Sequence, residues 1–219
     1  CLNSSDLKKL NSEINTFIVG SDQTFRNGAD YFFGPNKKND KYFYFLSFVN
    51  ESKKKIAYSS SFGLKQYEGT EKEKAFVEYY LKQFDAISVR EKDAVDICSN
   101  MNVSSTHVID PVFLTSIDTW DSMISNSKMK NKNFIAHYIL DKNDFTNKVL
   151  QKIQKIFNVE LVDLSDRANI SVEDWLYGIK NCKILIGDSF HATCFALIFG
   201  KPFLTIQNKE RGNSRISSL

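Results

Sequence analysis

Short apolar runs rich in β-branched residues recur along the chain, and between them lie stretches whose apolar positions repeat with a helical period. The runs at Thr16-Phe17-Ile18-Val19, Lys55 to Gly63, Ala86 to Val89, His107 to Ile109, Phe134 to Ile139, Val159 to Val162, Lys183 to Ile186 and Phe203 to Ile206 predict buried strands. The intervening segments predict helices. Thr70-Glu71-Lys72-Glu73 fits a capping box ahead of Phe76, Val77, Tyr80, Leu81 and Phe84. Glu91 to Met101 follows as a helix, and Asp144 to Phe157 places Phe145, Val149, Ile153 and Ile156 on one face. Ser171 opens a helix through Trp175, Leu176 and Ile179, and Phe190 to Phe199 is apolar nearly all round, with Gly200 and Pro202 to stop it. This alternation predicts an α/β fold with parallel sheets. The polar stretch from Val112 to Asn133, around Trp120, interrupts it and predicts a connection between two Rossmann-like halves: 1–115, a linker over 116–133, and 134–219. The aromatic run Tyr42 to Phe48 reads as core.

The ends of the predicted strands carry the chemistry, because open α/β sheets bind ligands at the carboxyl ends of their strands. Asn181 to Pro202 reads NCKILIGDSFHATCFALIFGKP. Its strand ends at Gly187, and Asp188 or Ser189 caps a buried helix whose first turn holds His191 and Thr193 near its mouth. A helix start of this kind favours an anion and a neutral imidazole. Physics alone leaves two readings of His191 open: a general acid/base beside a bound anion, or a histidine tying a helix end to a carbonyl. The strand Thr16 to Val19 runs likewise into Gly20-Ser21-Asp22-Gln23, where the glycine lets the backbone turn and Asp22 and Gln23 enter the crevice, or Asp22 caps the next turn. Arg90 and Glu91 leave the strand Ala86 to Val89. Arg211 and Arg215 flank Gly212 and Asn213 near the C-terminus, and arginine suits two-point contacts to phosphate or carboxylate. Ser165, Asp166 and Arg167 occupy another strand exit, and the loop from Asn27 to Asp40 is long enough for a functional excursion.

Composition removes several classes. With 29 basic and 26 acidic residues the net charge is only +3, too balanced to argue for nucleic acid. The 42% hydrophobic content supports a sizeable core. Lys53-Lys54-Lys55 reads as a solvated lead-in to a strand. The four cysteines show neither a CxxC pair nor zinc-ligand spacing with the three histidines, so buried thiols, a reducing compartment and no metal are expected. No apolar stretch is long enough to span a bilayer, which makes the cytoplasm the default, with peripheral association at the inner face of a membrane left open. The chain starts at Cys1 and is expected to be part of a longer protein.

Asp188-Ser189-Phe190-His191-Ala192-Thr193 resembles the polysaccharide pyruvyl transferase family, whose members carry Asp-Ser-Phe-His-Gly-Thr between a strand and an apolar helix. The family's Gly-Ser-Asp-Gln-x-Trp is matched by Gly20 to Phe25, with phenylalanine in place of tryptophan. Its Ala-Tyr-x-x-Ser-Phe-Gly, its Ser-Val-Arg-Glu and its Arg-rich approach to a Ser-Leu-Leu ending are echoed at Ala57 to Gly63, Ser88 to Glu91 and Arg211 to Leu219. The family's Gly-rich first strand-loop is absent, so the N-terminal half is expected to be incomplete. The resemblance implies a GT-B-like pair of halves. It also implies transfer of a pyruvyl group from phosphoenolpyruvate, with no cofactor besides this donor, onto two hydroxyls of a sugar or lipid-linked oligosaccharide. It further implies catalytic roles for His191, Asp22 and Asp188, and substrate contacts from Gly20, Ser21, Gln23, Arg90, Ser189, Thr193, Arg211 and Arg215. The competing expectations are a nucleotide-sugar-dependent glycosyltransferase of the same fold and a truncated, non-catalytic carbohydrate-binding relative.

Overall fold

The computed structural model describes residues 4–27, 42–130, 133–166, 168–207 and 214–219. The chain divides into two compact units, one of Cys1–Pro111 with Arg211–Leu219 and one of Val112–Glu210. Each is built on a four-stranded, wholly parallel sheet, so the α/β expectation holds.

In the first unit, helix α1 (Ser4–Glu13) precedes β1 (Thr16–Val19), which pairs with β2 (Lys54–Ser60). Helix α2 (Glu71–Leu81) leads to β3 (Ala86–Val89), and α3 (Lys92–Ser99) to the short β4 (Thr106–His107). The sheet order is β1-β2-β3-β4. The predicted capping box forms: the Thr70 side chain accepts from the Glu73 N–H, and Glu73 reaches back to the Thr70 N–H. Val77 and Leu81 then face the core, where Phe25 is fully buried and stacks on Phe45 at 5.0 Å between ring centres. The polar opening of the chain forms α1, with Leu10 packed against this core.

In the second unit, α4 (Ile117–Ile124) comes first, then β5 (Phe134–Tyr138), α5 (Asp144–Phe157), β6 (Glu160–Asp163), α6 (Val172–Asn181), β7 (Leu185–Gly187), α7 (Phe190–Ile198) and β8 (Phe203–Thr205). The sheet order is β6-β5-β7-β8. Helix α7 is buried, as its apolar sequence requires, and Gly200 takes the left-handed conformation (φ 60°) that ends it.

The boundaries differ from the expected halves at two places. The segment read as a linker carries α4, capped by Ser116, whose Trp120 meets Phe195 edge-on at 4.9 Å. That segment is therefore part of the second core; the polar residues that suggested a linker lie on the helix's outer side and in its flanking turns. The C-terminal helix α8 (Ser214–Ser217) belongs to the first unit, where the Lys92 N–H donates to Ser218 Oγ at 3.3 Å.

Candidate functional site

Both candidate regions begin with a glycine at a strand exit. A Cβ on Gly20 would lie 2.0 Å from the Tyr58 carbonyl oxygen, and Gly20 has φ 129°. The residue type is thus set by the approach of β1 to β2. Asp22, two residues on, adopts the left-handed region at φ 71°, which an aspartate tolerates better than most residues.

From that turn a charged network extends within the first unit. Arg90 leaves β3 and donates from Nη2 to Asp22 Oδ1 at 2.8 Å and from Nη1 to Asp110 Oδ2 at 2.7 Å. Ser21 Oγ donates to the same Asp110 oxygen at 2.8 Å and accepts from Arg90 Nη1 at 3.3 Å. The Arg90 and Asp110 side chains are 0% and 1% exposed, whereas that of Asp22 is 52% exposed. Arg90 was expected to grip a ligand anion directly; its guanidinium is instead bracketed by two carboxylates of its own chain. This orders Asp22, whose side chain is half exposed.

Glu91 carries a second layer. Its Oε1 accepts from Ser61 Oγ (2.9 Å), the Phe62 N–H (2.9 Å) and the Gly63 N–H (3.1 Å), while its Oε2, fully buried, meets no hydrogen-bonding group. Burial pushes the Glu91 carboxyl above the usual range, against the pull of the Gly63 and Ser61 hydrogen bonds. Ser61 in turn donates its N–H to the Asp22 carbonyl at 3.0 Å, so Glu91 shapes the turn that bears Asp22 and Gln23. With the Gln23 amide oxygen turned toward Arg215, it accepts from both guanidinium nitrogens at 3.0 and 3.2 Å. Burial, and then the neighbouring Arg90, draw the Arg215 guanidinium down to about 10, and it stays cationic at neutral pH. Ser21, Asp22 and Gln23 also line a cavity of about 470 Å³ whose far wall is Phe43, Tyr44 and Phe48. The aromatic run read as core packs there as expected, with Phe45 and Leu46 buried and Tyr42, Tyr44 and Phe48 half-buried against them, while Phe43, Tyr44, Leu46 and Phe48 also border this cavity.

In the second unit Gly187 repeats the device, since a Cβ there would lie 2.7 Å from the Tyr138 carbonyl oxygen. Asp188 is buried and accepts from the Leu140 N–H (2.8 Å) through Oδ1 and from the Asp141 N–H (3.1 Å) through Oδ2. It fixes the exit loop of β5. Ser189 is the N-cap of α7, with Oγ receiving the Ala192 N–H at 3.5 Å. His191 sits half-buried in the first turn of that helix, its ring edge-on to Phe190 at 5.4 Å. Thr193 was expected at the mouth. It lies one turn further along and is buried, donating to the Ser189 carbonyl at 3.0 Å and sharing a hydrogen bond with Thr205 at 3.2 Å, so it ties α7 to β8. Beside this mouth, at the ends of β5 and β6, His137 Nδ1 lies 3.6 Å from Asp163 Oδ1, and Lys142 holds the other oxygen of Asp163 at 2.6 Å.

The structure thus gathers Gly20, Ser21, Asp22, Gln23, Arg90 and Arg215 in the first unit, and Asp188, Ser189 and His191 at one strand exit of the second. Arg211, Arg167 and the loop 28–40 lie outside the described residues. Asp110 was missed as a site residue: Asp110-Pro111 reads as a boundary, yet an acid at the carboxyl end of a strand is the same signal that marks Asp22. Among the described residues no group of three His, Cys, Asp or Glu side chains could hold a metal ion, and no helix is long and apolar enough to cross a membrane.

A family model described as polysaccharide pyruvyl transferase matches residues 2–210. No curated protein and no solved structure matches the chain.

Proposed function

Since the chain belongs to the polysaccharide pyruvyl transferase family, we propose that it moves the enolpyruvyl group of phosphoenolpyruvate onto two hydroxyls of one sugar and releases inorganic phosphate. Protonation of the donor's methylene carbon makes its C2 electrophilic, and the first sugar hydroxyl adds there, losing its proton. The C2–O bond to phosphate then breaks, the second hydroxyl closes on the same carbon, and its proton leaves with the phosphate. One group that gives a proton and then takes one back serves these steps, and His191 is that group. The first turn of α7, capped by Ser189, receives an anionic end of the donor, because the first N–H groups of a helix lack intrahelical acceptors. Arg215 and Arg211 are the arginines we assign to anion contacts in the first unit.

The geometry refines the remaining roles. The half-exposed Asp22 carboxylate accepts a hydrogen bond from an acceptor hydroxyl, and Arg90 holds that carboxylate rather than the donor. Asp188, with both oxygens occupied by backbone N–H groups, acts through the loop it fixes. The cavity between Asp22 and Tyr44, polar on one rim and aromatic on the other, suits a sugar ring. What most supports this reading is the half-buried His191 in the first turn of a buried helix, two residues after a capping serine.

The test is incubation of the protein with phosphoenolpyruvate and a panel of glycan acceptors, following phosphate release and the mass gain of a ketal. Thermal shift with phosphoenolpyruvate and with nucleotide sugars runs beside it, because a ligand of the native state raises the midpoint by mass action. Stabilisation by a nucleotide sugar alone, without ketal formation, would replace this reading with that of a glycosyltransferase.

A further inference from the structure

Helix α5 is the amphipathic element whose apolar side the second unit leaves uncovered. Thr146 is buried and Val149, Leu150 and Ile153 are half-buried, so one side of the helix faces the sheet. The remaining apolar residues are not inside: Phe157, at the last turn, is 48% exposed, and Phe145 and Ile156 are each 64% exposed, although the sequence pattern placed the latter two on the core face. At about 100° per residue the two fall within about 20° of each other around the axis, roughly 16 Å apart along it. Lys148, Lys152 and Lys155 occupy the flank immediately beside them, and all three are exposed. The one acidic residue of the helix, Asp144, is at its N-terminal end.

We propose that this face of α5 rests on an anionic lipid surface, with Phe145 and Ile156 entering the headgroup boundary and the three lysines meeting lipid phosphates. The charge pattern decides between occupants. The contact core of a protein interface is depleted in lysine, so a second protein would have to desolvate the lysines that border the apolar pair. At a lipid surface the same side chains lay their stems along the apolar layer and keep their ammonium groups among anionic headgroups. The inference rests on α5 alone and stands whichever reaction the protein performs.

Co-sedimentation of the full chain with phosphatidylglycerol and with phosphatidylcholine vesicles tests it. Binding to the anionic vesicles is expected, weaker by on the order of 10-fold or more on neutral vesicles or after the triple change Lys148→Gln, Lys152→Gln, Lys155→Gln. The double variant Phe145→Ser, Ile156→Ser is expected to abolish it. Both variants change exposed positions, and circular dichroism with a thermal midpoint verifies that they are folded. Equal binding to both vesicle types, or undiminished binding by the double variant, overturns the proposal. So does self-association without lipid that the double variant removes, which would assign the face to a second copy of the chain.

Discussion

Gly20 and Gly187 end their strands against a tyrosine carbonyl of the neighbouring strand, and each is followed by a serine and an aspartate within the next two residues. Beyond that shared start the two units diverge. In the first, Asp22 turns outward, and its charge is balanced by an arginine that a second, fully buried carboxylate also holds. In the second, Asp188 turns inward and accepts from two backbone N–H groups, and a half-buried His191 sits at the helix start. The same strand-exit geometry thus makes a rigid electrostatic frame in one case and an open helix terminus in the other. Arg90 comes to 2.8 Å from the acid in the first unit, and backbone N–H groups of the β5 exit meet it in the second.

Changes in the second unit's mouth should accordingly cost activity, and changes at the buried end of the first unit's frame should cost stability. The largest effect is expected from His191→Ala: ketal formation lower by about 10²- to 10⁴-fold with an unchanged unfolding midpoint, read by phosphate release and denaturant titration. Near-normal turnover would remove the histidine from the mechanism. Asp110→Ala should destabilise the fold by about 3–5 kcal/mol, because it strands a buried guanidinium. Asp22→Ala, which removes a half-exposed partner of the same arginine, should cost about 1 kcal/mol or less. Equal losses from the two would mean that the network is not anchored at Asp110.

Acid sharpens the comparison further. In the second unit burial opposes ionisation of Asp163, but hydrogen bonds from Lys142 and then Ser165 prevail and bring its carboxyl to about 2, below the ordinary 3.8. Asp174 also reaches about 2, where burial is outweighed by Ser127, the Met129 and Lys128 N–H groups and Ser171. Folded values below the unfolded ones stabilise fully above pH 3.8, and that contribution is lost as pH falls toward about 2. Glu91 has the opposite sign: its raised carboxyl disfavours the folded state at neutral pH, and the penalty shrinks as pH falls through its folded value toward 4.5. Amide exchange across a pH series should therefore show Lys128 and Met129 losing protection in acid, and Asp174→Asn should flatten that loss. An effect of similarly small size concerns Ala192, which is buried inside α7. Ala192→Gly should lower stability by about 1 kcal/mol, from helix propensity and a lost methyl, and the unfolding midpoint reports it.

Much of this was legible in local patterns. The capping box at Thr70, the strand Thr16–Val19, the helix Asp144–Phe157 and the glycine stop after α7 are set by neighbours a few residues apart, and all four form as the spacing predicts. The strand-exit signature marked both candidate regions for the same reason. Helix α4 was hidden because it is only eight residues long, and its Ile117, Trp120, Met123 and Ile124 sit within a polar stretch; packing of Trp120, Met123 and Ile124 on the second core explains them.

Residue types at strand ends, the caps and the alternation that makes two parallel sheets were therefore determined by the sequence itself, since each depends on contacts within one turn or one strand. The tertiary structure alone decided which of those residues meet. Asp22, Arg90 and Asp110 come together because parallel pairing carries the carboxyl ends of β1, β3 and β4 to one edge of a sheet, whatever their separation along the chain. It also decided that Phe145 and Ile156 stay outside: periodicity assigns residues to a face of a helix, and only the neighbouring layers determine how much of that face is covered.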